Sequence, residues 1–337
     1  MSAVRFAVLG ATGYTGRLVL AEARAAGVAL RLVGRRREAL EELALPGDEL
    51  RVADAAAPGD AFAGCTAVLS CAGPFLRIGP APVEAAVAAG ADYLDSSGEQ
   101  AWARLLFERF RGAQTAILPC FGFDYVPGDV AARLAAEGLE PLDEVVVAYS
   151  ASGTATSRGT RRTVGEILGQ PVVAWQEGRL VASRLGATTR TVVFPSGACE
   201  VAEFGGAEPL TVPRHTDVRT VRSYIRIGAA AAKAARAARL VAPMLKASAG
   251  LRGLGPPAEK RAATRFVVVA EARGPQGGRR VTVTGSDPYL LTARLLVEGA
   301  LLEPRRTGPL APAEAFDARL LIERTRGLLR IEAVENL

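Results

Sequence analysis

The chain has 337 residues, 49% of them hydrophobic, and a formal net charge of +6. Nearly all of the cations are arginine, with lysine only at Lys233, Lys246 and Lys260, and no basic run carries the interleaved aromatics of a nucleic-acid binder. No charge-free apolar run reaches eighteen residues, so no transmembrane segment is expected. Cys65, Cys71, Cys120 and Cys199 form no C-x-x-C pair, and His215 is the one histidine, so no metal site is expected either. Four unpaired-looking thiols without a signal-like start point to a cytoplasmic protein.

In chain order, residues 4–9, 29–33, 50–53, 66–71, 91–95 and 115–119 read as strands. Helical patterns at 14–26, 36–43, 80–89 and 99–110 lie between them. Alternation of this kind predicts βαβ units and a doubly wound parallel sheet. The pattern changes near Pro127. Residues 142–150 read as a strand, followed by a small-residue loop from Ser150 to Thr160 and a helix at 161–168. Strand-like segments at 171–175, 189–194, 219–226 and 265–273 follow, the last pairing with Val281–Thr284 across the Gly274–Gly278 turn. Residues 228–248 form a cationic, Ala-rich helical pattern, most simply a surface helix with its apolar side inward. The last fifty or so residues read as helices around a loop at Gly308–Pro312.

The opening run, Val8-Leu9-Gly10-Ala11-Thr12-Gly13-Tyr14-Thr15-Gly16, joins a strand to an amphipathic helix through three glycines. Gly10 suits a tight turn, Gly13 lets backbone N–H groups approach a pyrophosphate, and Gly16 lets helix and strand lie close. The helix N-terminus adds positive potential. At the end of the second strand an NAD site usually has a carboxylate. Here stands Gly34-Arg35-Arg36-Arg37, so Arg35 is expected on a 2′-phosphate, Arg36 against adenine, and the cofactor is NADP(H). Asp54 either meets the adenine amino group or caps its own turn.

Ligands in such sheets lie beyond the carboxyl ends of the strands. Cys71-Ala72-Gly73-Pro74-Phe75 is therefore expected to wall the ribose and nicotinamide, with Ser97 joining from the next strand end. Asp95 and Ser97 can equally cap the following helix. Asp124 and Tyr125, at the last strand end, are the candidate catalytic residues, because hydride transfer to C=O, C=N or C=C needs a donor where charge develops. Their structural alternatives are capping for Asp124 and packing for Tyr125.

The stretches Gly10–Gly16, Ser70–Phe75, Asp95–Glu99 and Gly122–Pro127 together resemble the saccharopine dehydrogenase-like NADP-binding family. Glu208–His215, Asp287–Tyr289 with Thr292–Arg294, and Gly308–Ala313 are similar to its trans-acting enoyl reductase branch. The resemblance is dense over residues 1–130 and patchy beyond. It implies a Rossmann domain at 1–126 and 288–337, with C-terminal helices returning to it, and an inserted α+β domain at 127–287 with a mostly antiparallel sheet for substrate and dimerisation. It also implies an NADPH-dependent oxidoreductase reducing an enoyl, imine or carbonyl group of a small-molecule, acyl or amino-acid-derived substrate. The alternative is a non-catalytic NADP-binding partner of a biosynthetic complex. A homodimer is the one macromolecular assembly expected.

Overall fold

The computed structural model describes residues 5–152, 172–226, 255–302, 304 and 306–337. Its first half runs β1 (Arg5–Leu9), α1 (Tyr14–Ala25), β2 (Ala29–Gly34), α2 (Arg37–Glu41), β3 (Glu49–Val52), β4 (Ala67–Ser70), α3 (Phe75–Ile78), α4 (Pro80–Ala88), β5 (Asp92–Asp95), α5 (Gln100–Arg109) and β6 (Ala116–Leu118). The second half runs α6 (Val126–Ala136), β7 (Leu142–Ser152), β8 (Val172–Gln176), β9 (Arg179–Ser183), β10 (Thr189–Phe194), β11 (Gly197–Glu203), α7 (Glu208–Thr211), β12 (Val218–Ile225), α8 (Ala258–Ala263), β13 (Arg265–Gly274) and β14 (Gly277–Ser286). It closes with α9 (Pro288–Leu301), β15 (Gly308–Pro309), α10 (Pro312–Ala315), α11 (Ala318–Arg324) and β16 (Leu329–Asn336).

The first sheet has seven parallel strands in the order β15-β6-β5-β4-β1-β2-β3. This is the doubly wound arrangement, with the chain leaving β1 in both directions. Apolar residues run without interruption over Phe6–Leu9 of β1 because both faces are covered there. Phe6 and Val8 join one core with Leu20 of α1, whereas Ala7 and Leu9 join another with Phe75 and Trp102. Burying a side chain the size of Phe6 contributes about 2–3 kcal/mol.

The second sheet is mixed and mostly antiparallel, in the order β10-β11-β12-β7-β13-β14-β16, with β8 pairing β12 and β9. Its one parallel contact is β7 with β12. Along β7, Val145, Val147 and Tyr149 face the main core shared with α6, and Val146 and Ala148 face Val192, Phe194 and Tyr224. Two sheets with helices on the first make an α/β fold with an attached α+β part, as the sequence pattern predicts.

Several sequence expectations need correction. The chain end is not wholly helical, since Leu329–Asn336 pairs antiparallel with β14 and belongs to the second sheet. The helix expected at 36–43 forms only over Arg37–Glu41, and a separate short helix precedes the one at Pro80. The loop over 153–160, the helix at 161–168 and the cationic helix at 228–248 lie outside the described residues.

Candidate functional site

The carboxyl ends of β1, β2, β4, β5 and β6 share one side of the first sheet and deliver the site. At β1, Gly10 takes φ +80°, and a Cβ there would sit 3.1 Å from Ala72 N. At Gly16 a Cβ would come within 2.2 Å of Gly10 O, so only glycine lets α1 start this close to β1. Gly13 is the N-cap of α1, with no side-chain cap bond and no acidic residue in the first turn. The N–H groups opening α1, at Tyr14, Thr15 and Gly16, thus face outward without a cap from this chain. The combination of uncapped N–H donors, helix dipole and close backbone fits an anion such as a pyrophosphate.

Ala11 is fully buried, and Thr12 O accepts from Arg17 Nε at 3.3 Å, so these two shape the loop. Tyr14 turns its ring away from the loop. Its hydroxyl donates to Pro256 O at 2.6 Å, Arg261 reaches it at 3.5 Å, and Tyr289 packs edge-on with ring centroids 5.0 Å apart. Tyr14 therefore offers its backbone to a ligand and its side chain to the second half of the chain.

At β2, the side chains of Arg35 and Arg36 are exposed and have no ion-pair or hydrogen-bond partner among the described residues. Arg37 pairs with Glu41 at 3.8 Å. No carboxylate stands between Gly34 and Arg37, so the end of β2 offers unpaired positive charge to an anion. Asp54 resolves toward its structural alternative. Its Oδ1 accepts from Ala56 N at 2.9 Å, closing a local turn.

At β4, Cys71 and Ala72 are half-buried, Gly73 is exposed, and Pro74 and Phe75 are buried. Burial pushes the Cys71 thiol up to about 12, so it behaves as a wall and not a nucleophile. Phase and position of the short helix that follows are set by Glu99, whose carboxylate accepts from Phe75 N and Leu76 N at 3.1 and 3.2 Å.

Asp95 and Ser97 are not open to a ligand. Asp95 is fully buried, and its Oδ1 accepts from Ser97 N, Ser97 Oγ and Cys120 N at 3.0, 2.6 and 2.9 Å. Its Oδ2 accepts from Trp102 Nε1 at 2.7 Å. One carboxylate thereby ties β5, α5 and the strained turn at Cys120, where φ is +56°. Desolvation raises its pKa, and these four donors oppose the rise. Ser97 is 2% exposed, so its expected cofactor contact is corrected to a bond within this hub.

Asp124 and Tyr125 part company. Asp124 is exposed and lies at the turn between β6 and α6, and a Cβ on Gly98 would come within 2.8 Å of its Oδ2. Its carboxylate has no hydrogen-bond partner among the described residues. It does not cap α6, whose N-cap is Tyr125. The carboxyl is reached by solvent yet ringed by protein, and that loss of bulk water raises its pKa from 3.8 to about 6. Tyr125 is 2% exposed and donates its proton to Gly98 O at 2.7 Å. Desolvation lifts its pKa well above 10.0. The expectation of Tyr125 as a catalytic donor is therefore corrected, because its hydroxyl is committed to the backbone.

Behind Asp124 the two halves of the chain are joined by paired polar groups that single-sequence reading missed. Gln100 donates to Val173 O and Gly206 O at 2.9 and 2.6 Å and accepts from Val173 N at 2.8 Å. Glu208 is fully buried and accepts from Tyr149 and Ser223. Its pKa rises from 4.5 to about 7, with desolvation the leading cause. Asp129 accepts from His215 at 3.0 Å and Ala313 N at 2.8 Å. Arg214 bonds Glu314 and Pro309 O, both at 2.7 Å. The only advance signal was that Glu208, Arg214, His215 and Ala313 fall in stretches singled out as motifs.

Residues 10–96 match a family model described as NAD(P)H-binding. No curated protein matches the chain. Among solved structures, apo saccharopine dehydrogenase (L-Glu forming) from Saccharomyces cerevisiae superposes with a TM-score of 0.62 at 13% identity, covering 99% of this chain and 100% of that one. At that identity the shared property is the fold. The yeast methylglyoxal/isovaleraldehyde reductase complexed with NADPH matches 29% of this chain and 38% of its own, at 18% identity and a TM-score of 0.26. The chain thus carries an NAD(P)H-binding domain within the fold seen in saccharopine dehydrogenase. Among the described residues no helix is long and apolar enough to cross a membrane.

Proposed function

We propose that this protein is an NADPH-dependent reductase of the saccharopine dehydrogenase-like kind, with Asp124 as its proton donor. The observation that carries the reading is a juxtaposition along one sheet edge. An uncapped, glycine-lined helix N-terminus, two unpaired arginines and an unpartnered carboxyl with a pKa of about 6 all open on the same side. Anion-binding backbone, cations and a carboxyl of raised pKa gathered at one end of a parallel sheet are what a dinucleotide and its substrate require.

In this reading the N–H groups of Tyr14, Thr15 and Gly16 bind the pyrophosphate, and Arg35 pairs with the 2′-phosphate. Arg36 lies over the adenine, and Ala72 and Gly73 bring backbone close to the ribose. Bound NADPH supplies a hydride. Asp124 holds the proton that the reduced oxygen, nitrogen or carbon takes up, and a pKa near the working pH suits that exchange. The substrate is an enoyl, imine or carbonyl compound, either a small molecule or an acyl or amino-acid-derived intermediate. The stretches at 208–215 and 308–313 meet at Asp129, and their resemblance, with that of 287–294, favours the trans-acting enoyl reductase branch. The described cysteines are free thiols, which suits a cytoplasmic setting.

The test is NADPH oxidation, followed by its absorbance, over a panel of enoyl thioesters, cyclic imines and aldehydes, with wild type and Asp124→Asn. Turnover of one class that falls steeply in the variant supports the reading. Tight NADPH binding without turnover of any class would replace it with the non-catalytic partner.

A further inference from the structure

Gly98 stands in the turn between β5 and α5. Its φ lies outside the left-handed region, so any L-residue could follow the same backbone path. The missing side chain must have another cause. A Cβ at this position would come within 2.8 Å of Asp124 Oδ2, 3.2 Å of Asp124 Cγ and 3.6 Å of Asp124 Cβ. All three of the nearest atoms belong to one residue, the exposed carboxyl of the open side. Other glycines differ in this respect. Gly10 needs its positive φ, Gly16 meets the backbone of its own loop, and Gly128 meets Tyr149 and Glu208, which already bond each other. At Gly98 the space is kept for a side chain that makes no hydrogen bond among the described residues.

The turn is held too firmly to step back. Ser97 N and Oγ donate to Asp95 at 3.0 and 2.6 Å. Glu99 accepts from Phe75 N and Leu76 N. Gly98 O itself accepts from Tyr125 at 2.7 Å. Ser97 and Glu99 are both buried, whereas Asp124 is exposed and ends in a carboxyl that can rotate. Under pressure from a side chain at 98, Asp124 is therefore the partner that yields. Oδ2 is the oxygen against the turn, which leaves Oδ1 as the one farther from it.

We propose that Gly98 is a positioning residue for Asp124: its bare Cα is the seat on which the carboxyl rests, with Oδ1 left for the substrate, and any side chain at 98 unseats it. The seat is a matter of geometry, and its bearing on catalysis rests on Asp124 being the proton donor. In Gly98→Ala the carboxyl must swing several tenths of an ångström outward, because ordinary contact begins near 3.4 Å. That carries it into water. Desolvation is what raises its pKa from 3.8 to about 6, so in the variant it titrates nearer 3.8. The ionisable groups that interact with it are Cys120, Tyr125 and Tyr149. Burial pushes all three well above their ordinary values, so none titrates in the same window.

The experiment is carbon-13 NMR of the full chain labelled at its aspartate carboxyls, with the Asp124 signal identified by its loss in Asp124→Asn. Wild type should titrate near 6 and Gly98→Ala nearer 3.8. Circular dichroism should show the variant folded, because its φ suits alanine. On whichever substrate class wild type reduces, kcat should fall about 100-fold in Gly98→Ala with NADPH affinity unchanged. Adding Gly98→Ala to Asp124→Asn should cost nothing more. A titration that Gly98→Ala leaves in place, a variant that does not fold, or a rate loss that adds in full to that of Asp124→Asn would each overturn the seat. Ordinary turnover by Asp124→Asn would instead remove the proton-donor reading, and the titration would still judge the seat.

Discussion

The open side of the first sheet and the junction behind it are built from similar residues used in opposite ways. At the junction, Asp95, Gln100, Asp129 and Glu208 are buried, and each is matched by two or more partners. At the open side, Arg35, Arg36 and Asp124 have none among the described residues, and α1 starts without a cap. Burying a charge without partners is costly, so the junction groups must be satisfied for the chain to fold. Solvent-reachable groups carry no such demand and remain available to ligands. The contrast separates scaffold from site better than residue type does, since Asp95 and Asp124 are both acidic residues at strand ends.

The largest expected effect tests the open side. Asp124→Asn should lower kcat by about 10²–10⁴-fold and leave NADPH affinity unchanged. In wild type the rate of reduction should fall as pH rises through about 6, because the protonated carboxyl is the active form. A flat profile in wild type would move the proton donor elsewhere.

At the junction, Asp95→Ala strands four donors and should cost about 3–5 kcal/mol in urea unfolding, with little specific effect on cofactor discrimination in whatever fraction folds. Near-wild-type stability would sink the hub reading.

Glu208 gives a smaller effect with a fixed sign. Its folded pKa of about 7 lies above the ordinary 4.5, so its contribution to stability is full below pH 4.5 and is lost as pH rises through 7. The difference is on the order of 3 kcal/mol at most. Denaturation midpoints from pH 5 to 8 should decline more in wild type than in Glu208→Gln. Parallel curves would mean that Tyr149 and Ser223 hold the charged form without cost.

Legibility in the sequence followed the same division. The central strands β1, β4 and β6 carry short apolar runs over Phe6–Leu9, Ala67–Leu69 and Ala116–Leu118, and the glycine loop has steric requirements that only one residue type meets, so both could be read locally. The hairpin of β13 and β14 was legible through its turn. β16 was not, because Leu329-Arg330-Ile331-Glu332-Ala333-Val334-Glu335 mixes helix-forming residues with a broken period, and the break is the register shift opposite Thr282 and Val283. Ser97 looked like a free hydroxyl at a strand end, and its loss to Asp95 depends on where Cys120 lies, which sequence spacing does not give. Asp124 and Tyr125 are neighbours in sequence but differ in burial, because Asp124 precedes the first turn of α6 and Tyr125 turns inward toward Gly98.

The most direct test of the open site is calorimetric titration of NADPH and NADH into wild type and Arg35→Ala. NADPH should bind wild type roughly 10–100-fold more tightly than NADH, and the substitution should remove most of that gap while leaving NADH affinity nearly unchanged. Equal affinities in wild type, or no binding of either nucleotide, would contradict the assignment of the glycine loop and Arg35 to NADP.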